Sequence, residues 1–291
     1  MSEPDKIIVI GATSRIGRRL IARLQKRGAT AIAVGRSAER LADIDAPRRV
    51  VDFSDRHALG CALADASRVV SCAPLTIAPA ILDALPEKLA RIVLTGSTRR
   101  FSKYPDAFAE ALMRAEAAFA SSGRAGVILH ATMIVGEGNG NNAQRIAAYI
   151  RRFGFVPLPR GGAMLIQPIY TDDVAACLER ALDRAAGYEP PIVIAGPEPV
   201  TYRAFVAAIA QAIGRKVRII PVPAPALMAT AAMTRFLPFL PQIRTLEIRR
   251  LLEDKVFDIA TMRESLGVEP IGLDAMLART FGTPGPDAIP R

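Results

Sequence analysis

The chain has 291 residues, 51% of them hydrophobic and 23% charged, which is enough for a full hydrophobic core and excludes extensive disorder. Lys and Arg number 38 against 28 Asp and Glu, a formal charge of +10. With no aromatic-interleaved basic cluster and no helix-turn-helix pattern to support nucleic-acid recognition, that charge predicts a solvated, arginine-rich surface, the alternative being one that favours anionic ligands such as nucleotides or an acidic surface, and no nucleic-acid partner is expected.

Short apolar runs alternate with amphipathic stretches from the start. "KIIVI", "TAIAVG", "RRVVDF", "SRVVSC", "RIVLTG" and "GVILHA" predict six strands, and helical spacing fills the intervals, as in Arg15 to Arg27 and Ala107 to Ser122. The pattern predicts an α/β fold, a doubly wound parallel sheet with right-handed crossovers. After Gly136 the regularity loosens through "GEGNGNN", a helix from Ala143 to Arg152, the loop "GFVPLPRGGA" and a helix at "TDDVAACLERAL" with Thr171 or Asp172 as N-cap. A strand at Ile192 to Ala195, a helix from Tyr202 to Ile213 and a strand at Val217 to Pro221 follow. The division expected is a core over 1–136 and, packed with it as one unit, the remaining sheet elements and a mostly helical C-terminal substrate lobe over 137–291.

The apolar segment Ala224 to Pro241 is interrupted by Arg235 and Pro238 and is shorter than the ~20 residues that span a bilayer, so it reads as a helix packing on the protein or a partner. The polar N-terminus carries no secretory pattern, and a cytoplasmic location is expected. Cys61, Cys72 and Cys177 lie in apolar surroundings and read as buried thiols; with His57 and His130 far apart, no metal site is expected.

The chemistry begins at "GATSRIG". Gly11 permits a sharp strand-to-helix turn and Gly17 a close helix-to-sheet approach, leaving the N–H groups around Thr13, Ser14, Arg15 and Ile16 to face a pyrophosphate, with Ser14 as a further donor. At the end of the second strand a carboxylate would hold the ribose of NAD. Here Gly35, Arg36 and Ser37 stand instead, and Arg36, with Arg15 as a second cation, suits a 2′-phosphate, so NADP(H) is favoured over NAD(H). Asp52 and Phe53 are the adenine contacts expected after the third strand. Ser71, Cys72, Ala73 and Pro74 after the fourth, and Thr132 after the sixth, border the ribose and nicotinamide.

These residues, together with "VVDFSD", "LTGSTRRF", "VILHATMIVGEGN", "QPIYTDDVA" and "LLEDKVFDIATMRESLGVEP", resemble the extended and atypical short-chain dehydrogenase/reductase superfamily, in its NAD-dependent epimerase/dehydratase branch. The sequence is also similar to the NDUFA-nine-type accessory subunits of complex I, which bind NADPH without known turnover. The resemblance implies a Rossmann core with a substrate lobe, and dimerisation through helices near Ile77 to Leu85 and Ala107 to Ser122. It also implies a Tyr-x-x-x-Lys dyad beside a catalytic serine. Ser97, with Thr98, matches the serine. No tyrosine has lysine four residues on, and the dyad positions fall on Phe108 and Leu112, ahead of Glu116. Tyr104 in "FSKYPD" is the candidate proton donor, with Lys103 beside it. His130 stands where the family has arginine, an acid or base or a histidine bonded to the backbone.

Two functions follow from this reading: an NADP(H)-dependent oxidoreductase or epimerase-like enzyme acting on a carbonyl or sugar-nucleotide, or a non-catalytic NADP(H)-binding subunit or redox sensor with a protein partner.

Overall fold

The computed structural model describes residues 5–138, 141–184, 187–223, 225–226, 249–250 and 252–282. β1 (Lys6–Ile10), β2 (Thr30–Gly35), β3 (Arg48–Val50), β4 (Arg68–Ser71), β5 (Arg91–Ser97) and β6 (Gly126–Ala131) fall on the six apolar runs. With β11 (Ile192–Ile194) they form one seven-stranded sheet of order β11-β6-β5-β4-β1-β2-β3. Every pairing in it is parallel. Its central strands are buried on both faces, which is why they read as continuous rather than alternating apolar runs.

The two faces have separate cores. α1 (Arg15–Lys26), α7 (Thr171–Leu182) and α9 (Ala260–Leu266) cover one face, where Leu20, Leu24, Val174 and Leu178 meet Val9, Val70, Val93 and Leu129. α3 (Arg56–Leu63), α4 (Ala78–Ala84) and α5 (Ala107–Ser121) cover the other, where Leu59, Ile81, Leu112 and Phe119 meet Ile8, Val69, Leu94 and Ile128. The short α2 (Ala38–Ala42) follows β2.

The lobe has a third core. β7 (Ile134–Val135), α6 (Asn142–Phe153), β8 (Phe155–Pro159), β9 (Leu165–Ile166), β10 (Ile169–Tyr170), β12 (Val200–Thr201), α8 (Tyr202–Ala212), β13 (Arg218–Val222) and α10 (Leu273–Phe281) build it around Ile150, Phe205, Ile209 and Leu277. β13 pairs with β8 and β12 with β9, as two-stranded ribbons. The predicted N-cap of α7 is displaced. Tyr170 is the cap residue, and Thr171 turns inward to donate from Oγ1 to the Val135 carbonyl at 3.0 Å. The apolar segment 224–241 lies, apart from 225–226, outside the described residues. Among the described residues no helix is long and apolar enough to cross a membrane.

Many arginines are exposed, as composition predicts, among them Arg36, Arg56, Arg114 and Arg151, and several others are structural. Arg91, 2% exposed at the start of β5, donates from Nε to the Ala181 carbonyl at 2.7 Å and pairs with Glu189. Arg68, at the start of β4, donates to the Leu182 carbonyl and pairs with Asp183 at 2.7 Å. Both cations therefore sit on the last carbonyls of α7, the negative end of its dipole. Arg23 and Arg27 on α1 reach Glu179 and Asp183 of the same helix. Replacing Arg91 by methionine removes the Ala181 contact and one partner of Glu189 from a buried site. Chemical denaturation should show a loss of about 3 kcal/mol with an unchanged fold.

Candidate functional site

The strand order reverses between β1 and β4, so the loops leaving β1 and β4 diverge and leave a crevice at the carboxyl ends of the strands. The β1–α1 turn lies against both neighbours. Gly11 and Ala12 donate their N–H groups to the Val34 carbonyl at 3.0 and 3.2 Å. Gly11 has φ +73°, and a Cβ there would stand 2.8 Å from the nitrogen of Ala73. A Cβ on Gly17 would lie 2.5 Å from the Gly11 carbonyl oxygen. Both glycines are therefore required by contact, Gly11 by its backbone angle as well.

Ser14 caps α1, accepting from the Gly17 N–H at 3.0 Å, so its oxygen is engaged and its proton remains for a ligand. No acid occupies the first turn of α1, which leaves its positive end unopposed. Thr13 stands beside Gly35, its methyl 3.4 Å from the position a Cβ there would take, and Ile16 is half-buried against the sheet.

Arg36 is exposed at the end of β2, and Ser37 caps α2 by accepting from Arg40 N–H at 3.2 Å. Asp52 lies across from Arg36 at the end of β3. The Ser54 backbone N–H, at 3.0 Å, and the Ser54 side chain hold its carboxyl below the ordinary range, and the Arg36 charge adds to this. Phe53 packs against the sheet. The Arg15 guanidinium donates to the carbonyls of Glu137 and Gly138 at 3.4 and 3.3 Å, on the loop after β7.

The same loop carries a network that the sequence reading did not single out. Glu137 accepts from Arg19 at 2.8 Å and from the Tyr170 hydroxyl at 2.6 Å. Burial pushes the Glu137 carboxyl up, and the Tyr170 and Arg19 contacts outweigh it and hold it low. Burial and the Glu137 charge together push the Tyr170 phenol far up, so it remains protonated. The available signal was the i, i+4 spacing of Arg15 and Arg19, which puts two cations on one face of α1.

Ser97 ends β5 and accepts from the Arg99 N–H at 3.2 Å, capping a 3-10 turn over Thr98–Phe101. Thr98 donates to the Ala131 carbonyl, and Thr132 donates to the Gln167 carbonyl at 2.6 Å. On α5, Leu112 is 1% exposed in the core and Phe108 lies under the Arg99 guanidinium, so neither dyad position carries a titratable group.

One turn on, Glu116 accepts from His130 Nε2 at 3.1 Å and pairs with Arg100 at 2.6 Å. His130 thus bonds a carboxylate on the neighbouring helix, with the Ser97 backbone contributing to its surroundings. Its ring lies over Gly96, where a Cβ would come within 2.3 Å of Nδ1. Tyr104 is exposed on the loop after the 3-10 turn. Its ring lies under Arg249, and its loop is pinned through Ser102 Oγ and Lys103 N–H to Glu253 at 2.8 and 2.6 Å. Asp173 accepts from Ile271 N–H at 3.0 Å and so ties α7 to the C-terminal segment.

Cys72 and Ala73 follow β4 directly, the Cys72 N–H bonding the Ile10 carbonyl at 2.8 Å, and Pro74 is exposed beyond them. Burial pushes the Cys72 thiol up to about 12 and the Cys177 thiol higher still, so both are inert packing groups. Cys61 corrects the expectation of three buried thiols: it is exposed on α3, 3.8 Å from His57 Nε2, because its helix position faces solvent.

A parallel sheet with this crevice, a glycine turn pressed against β4 and a helix N-terminus free of acids defines a dinucleotide-binding Rossmann fold. Residues 11–142 match a family model described as NAD(P)H-binding. An uncharacterized protein of Mycobacterium tuberculosis strain H37Rv is 25% identical over 276 residues. That match covers 91% of this chain, which spans 28% of the length of that relative. Among solved structures, the fold superposes on UDP-glucose 4-epimerase with UDP-glucose from Thermotoga maritima with a TM-score of 0.75 at 14% identity, covering 95% of this chain and 97% of that one. It superposes on the NADPH-dependent quinone oxidoreductase of Escherichia coli, complexed with NADPH, with a TM-score of 0.72 at 18% identity, covering 94% and 98%. At these identities the likeness is one of fold.

Burial holds the His130 pKa below the usual histidine value, against the Glu116 carboxylate that favours its charged form. Between that lowered value and about 6.5, the unfolded chain binds a proton that the native ring does not, so stability falls as pH drops through this window. His130→Gln keeps a donor for Glu116 and removes the titration. Thermal melts of the two proteins between pH 7.5 and pH 5 should show a steeper acid loss in the wild type; parallel curves would refute a neutral buried His130.

Proposed function

We propose that the chain binds NADP(H) in the crevice between β1 and β4 and acts as an oxidoreductase on a carbonyl compound. The observation that carries this reading is Arg36, exposed and cationic at the end of β2, where an NAD site needs a carboxylate. The cradle fits the cofactor: without a Cβ at residues 11 and 17 the turn lies close against the end of β4 and under α1, and the N–H groups there, with Ser14, suit a pyrophosphate.

In this reading Gly11, Thr13, Ser14, Ile16 and Gly17 hold the pyrophosphate, and Arg15 stays on the Glu137 side of it. Arg36 and Ser37 take the 2′-phosphate, Asp52 and Phe53 the adenine. Cys72, Ala73, Pro74 and Thr132 line the nicotinamide end. When bound, NADPH supplies a hydride to a carbonyl carbon. Ser97 donates its hydroxyl proton to the substrate oxygen as a hydrogen bond and so orients the carbonyl. The proton that completes the alcohol comes from a donor other than a Tyr–Lys dyad, and Tyr104 fills that role only after its loop leaves Arg249 and Glu253.

Fluorescence titration separates the cofactors. The wild type should bind NADPH at least tenfold more tightly than NADH, a difference of about 1.4 kcal/mol, and Arg36→Asp should abolish that preference. Equal affinity for both nucleotides in the wild type would refute the NADP(H) assignment.

A second reading, a binding subunit or sensor that keeps NADP(H) without turnover, is favoured by one observation: both dyad positions are apolar and Leu112 is locked in the core. Single-turnover NADPH oxidation with a panel of ketones, quinones and sugar nucleotides decides between the two. Tight cofactor binding with no oxidation across the panel supports the sensor.

A further inference from the structure

Beside Ser97 the lobe places cations that the cofactor does not use. The segment 254–259 crosses the end of the sheet, with Lys255 bonded through its N–H to the Leu165 carbonyl at 2.9 Å and Phe257 bonded through its N–H to Gln167 Oε1. Exposure alternates along it: Asp254, Val256 and Asp258 face solvent, while Lys255, Phe257 and Ile259 are turned inward. The Phe257 ring meets Phe101, at 6.0 Å between centroids, in the turn that follows Ser97. Lys255 is therefore carried on the inner side of a segment laid over the carboxyl end of β5.

The surroundings of Lys255 are cationic. Burial lowers its pKa, as do the neighbouring charges of Arg250 and Arg99, with Glu253 opposing them. Among the described residues no carboxylate lies within ion-pair distance of its ammonium. The two nearby acids are engaged elsewhere. Asp106 is shared by Arg99 and by Arg250 at 2.6 Å, and also caps α5. Glu253 holds Ser102 and the Lys103 N–H. The Arg99 Nε–H is also buried without an acceptor among the described residues. Of the residues at 227–248 only Glu247 is acidic, against Arg235 and Arg244. The buried Arg99 Nε–H is costly to keep without an acceptor, and the half-buried Lys255 ammonium beside it adds a positive charge that no nearby carboxylate pairs among the described residues.

We propose that Lys255 and Arg99, backed by Arg250, form the receptor for an oxyanionic group of the substrate, a carboxylate or a phosphate, and so restrict the carbonyl substrate to anionic compounds. Arg99 ties the receptor to the reacting end, because its own N–H is bonded to Ser97 Oγ. An anion seated there holds its carbonyl at a fixed distance from the serine. This assignment rests on the oxidoreductase reading for its biological meaning, and the anion site itself is independent of it.

The test is isothermal titration of the full chain with inorganic pyrophosphate and with citrate, each with and without saturating NADPH, which blocks the 2′-phosphate site. With NADPH saturating, and the cofactor's own phosphate sites therefore filled, the wild type should still bind one of the two anions at one site, more weakly as salt is raised. Lys255→Met should weaken that binding at least tenfold and Lys255→Arg should restore most of it, while Arg36→Asp should leave it intact. The preferred anion identifies phosphate or carboxylate chemistry. If Lys255→Met does not fold, Arg99→Gln takes its place with the same expected loss. The proposal is overturned if neither anion binds the wild type at about 10 mM, an affinity below roughly 3 kcal/mol, or if the variants bind as the wild type does. Anion binding that survives while NADPH fails to bind would refute the cofactor reading alone.

Discussion

The contact on which the site depends is the approach of the β1–α1 turn to the end of β4, with no room for a Cβ between Gly11 and the Ala73 nitrogen. It sets the depth of the crevice, because the turn can lie flat only if residue 11 adopts a left-handed backbone and residue 17 lets α1 settle over it. Ser14 occupies the middle of the motif at no geometric cost. Its position is a helix N-cap, where a hydroxyl is an asset, and a third glycine is not required there.

Parallel strands buried on both faces produce uninterrupted apolar runs, so the six strands of the first half were legible in the sequence, several of them to the residue. So was the glycine turn, whose demands are local. The partners of side chains were not. Arg15 and Arg36 are both cations near the turn in sequence, yet one reaches to Glu137 and Gly138 and the other faces Asp52. That split is decided by tertiary placement over more than a hundred residues of chain. The inward-facing Lys255 was equally hidden, since a lysine between two exposed residues gives no sign of what lies beneath it.

The α5 helix shows how a catalytic scaffold can keep its geometry without its usual reagents. Ser97 remains at the strand end, and Glu116 keeps a cationic partner through Arg100 and a histidine bond through His130, yet the two positions between them are hydrocarbon. Leu112 strengthens the core where a lysine would have had to stretch toward solvent. The chemical capacity left at this end of the sheet comes from the turn after β5 and from the lobe segment above it, both rich in arginine.

The attachment of Arg68 and Arg91 to the last carbonyls of α7 bears on how the chain acquires its structure during synthesis. The stretch 11–142, which holds the nucleotide cradle, ends before α7 is made, so β4, β5 and β6 lack their cover on one face and the carbonyls of Ala181 and Leu182 that receive Arg91 and Arg68 are not yet there. A nascent chain halted at that point is left with Val70, Val93 and Leu129 open to water. Folding of the cradle therefore waits for residues some forty positions further along, and those first 142 residues do not form a self-sufficient unit to be moved intact into another protein.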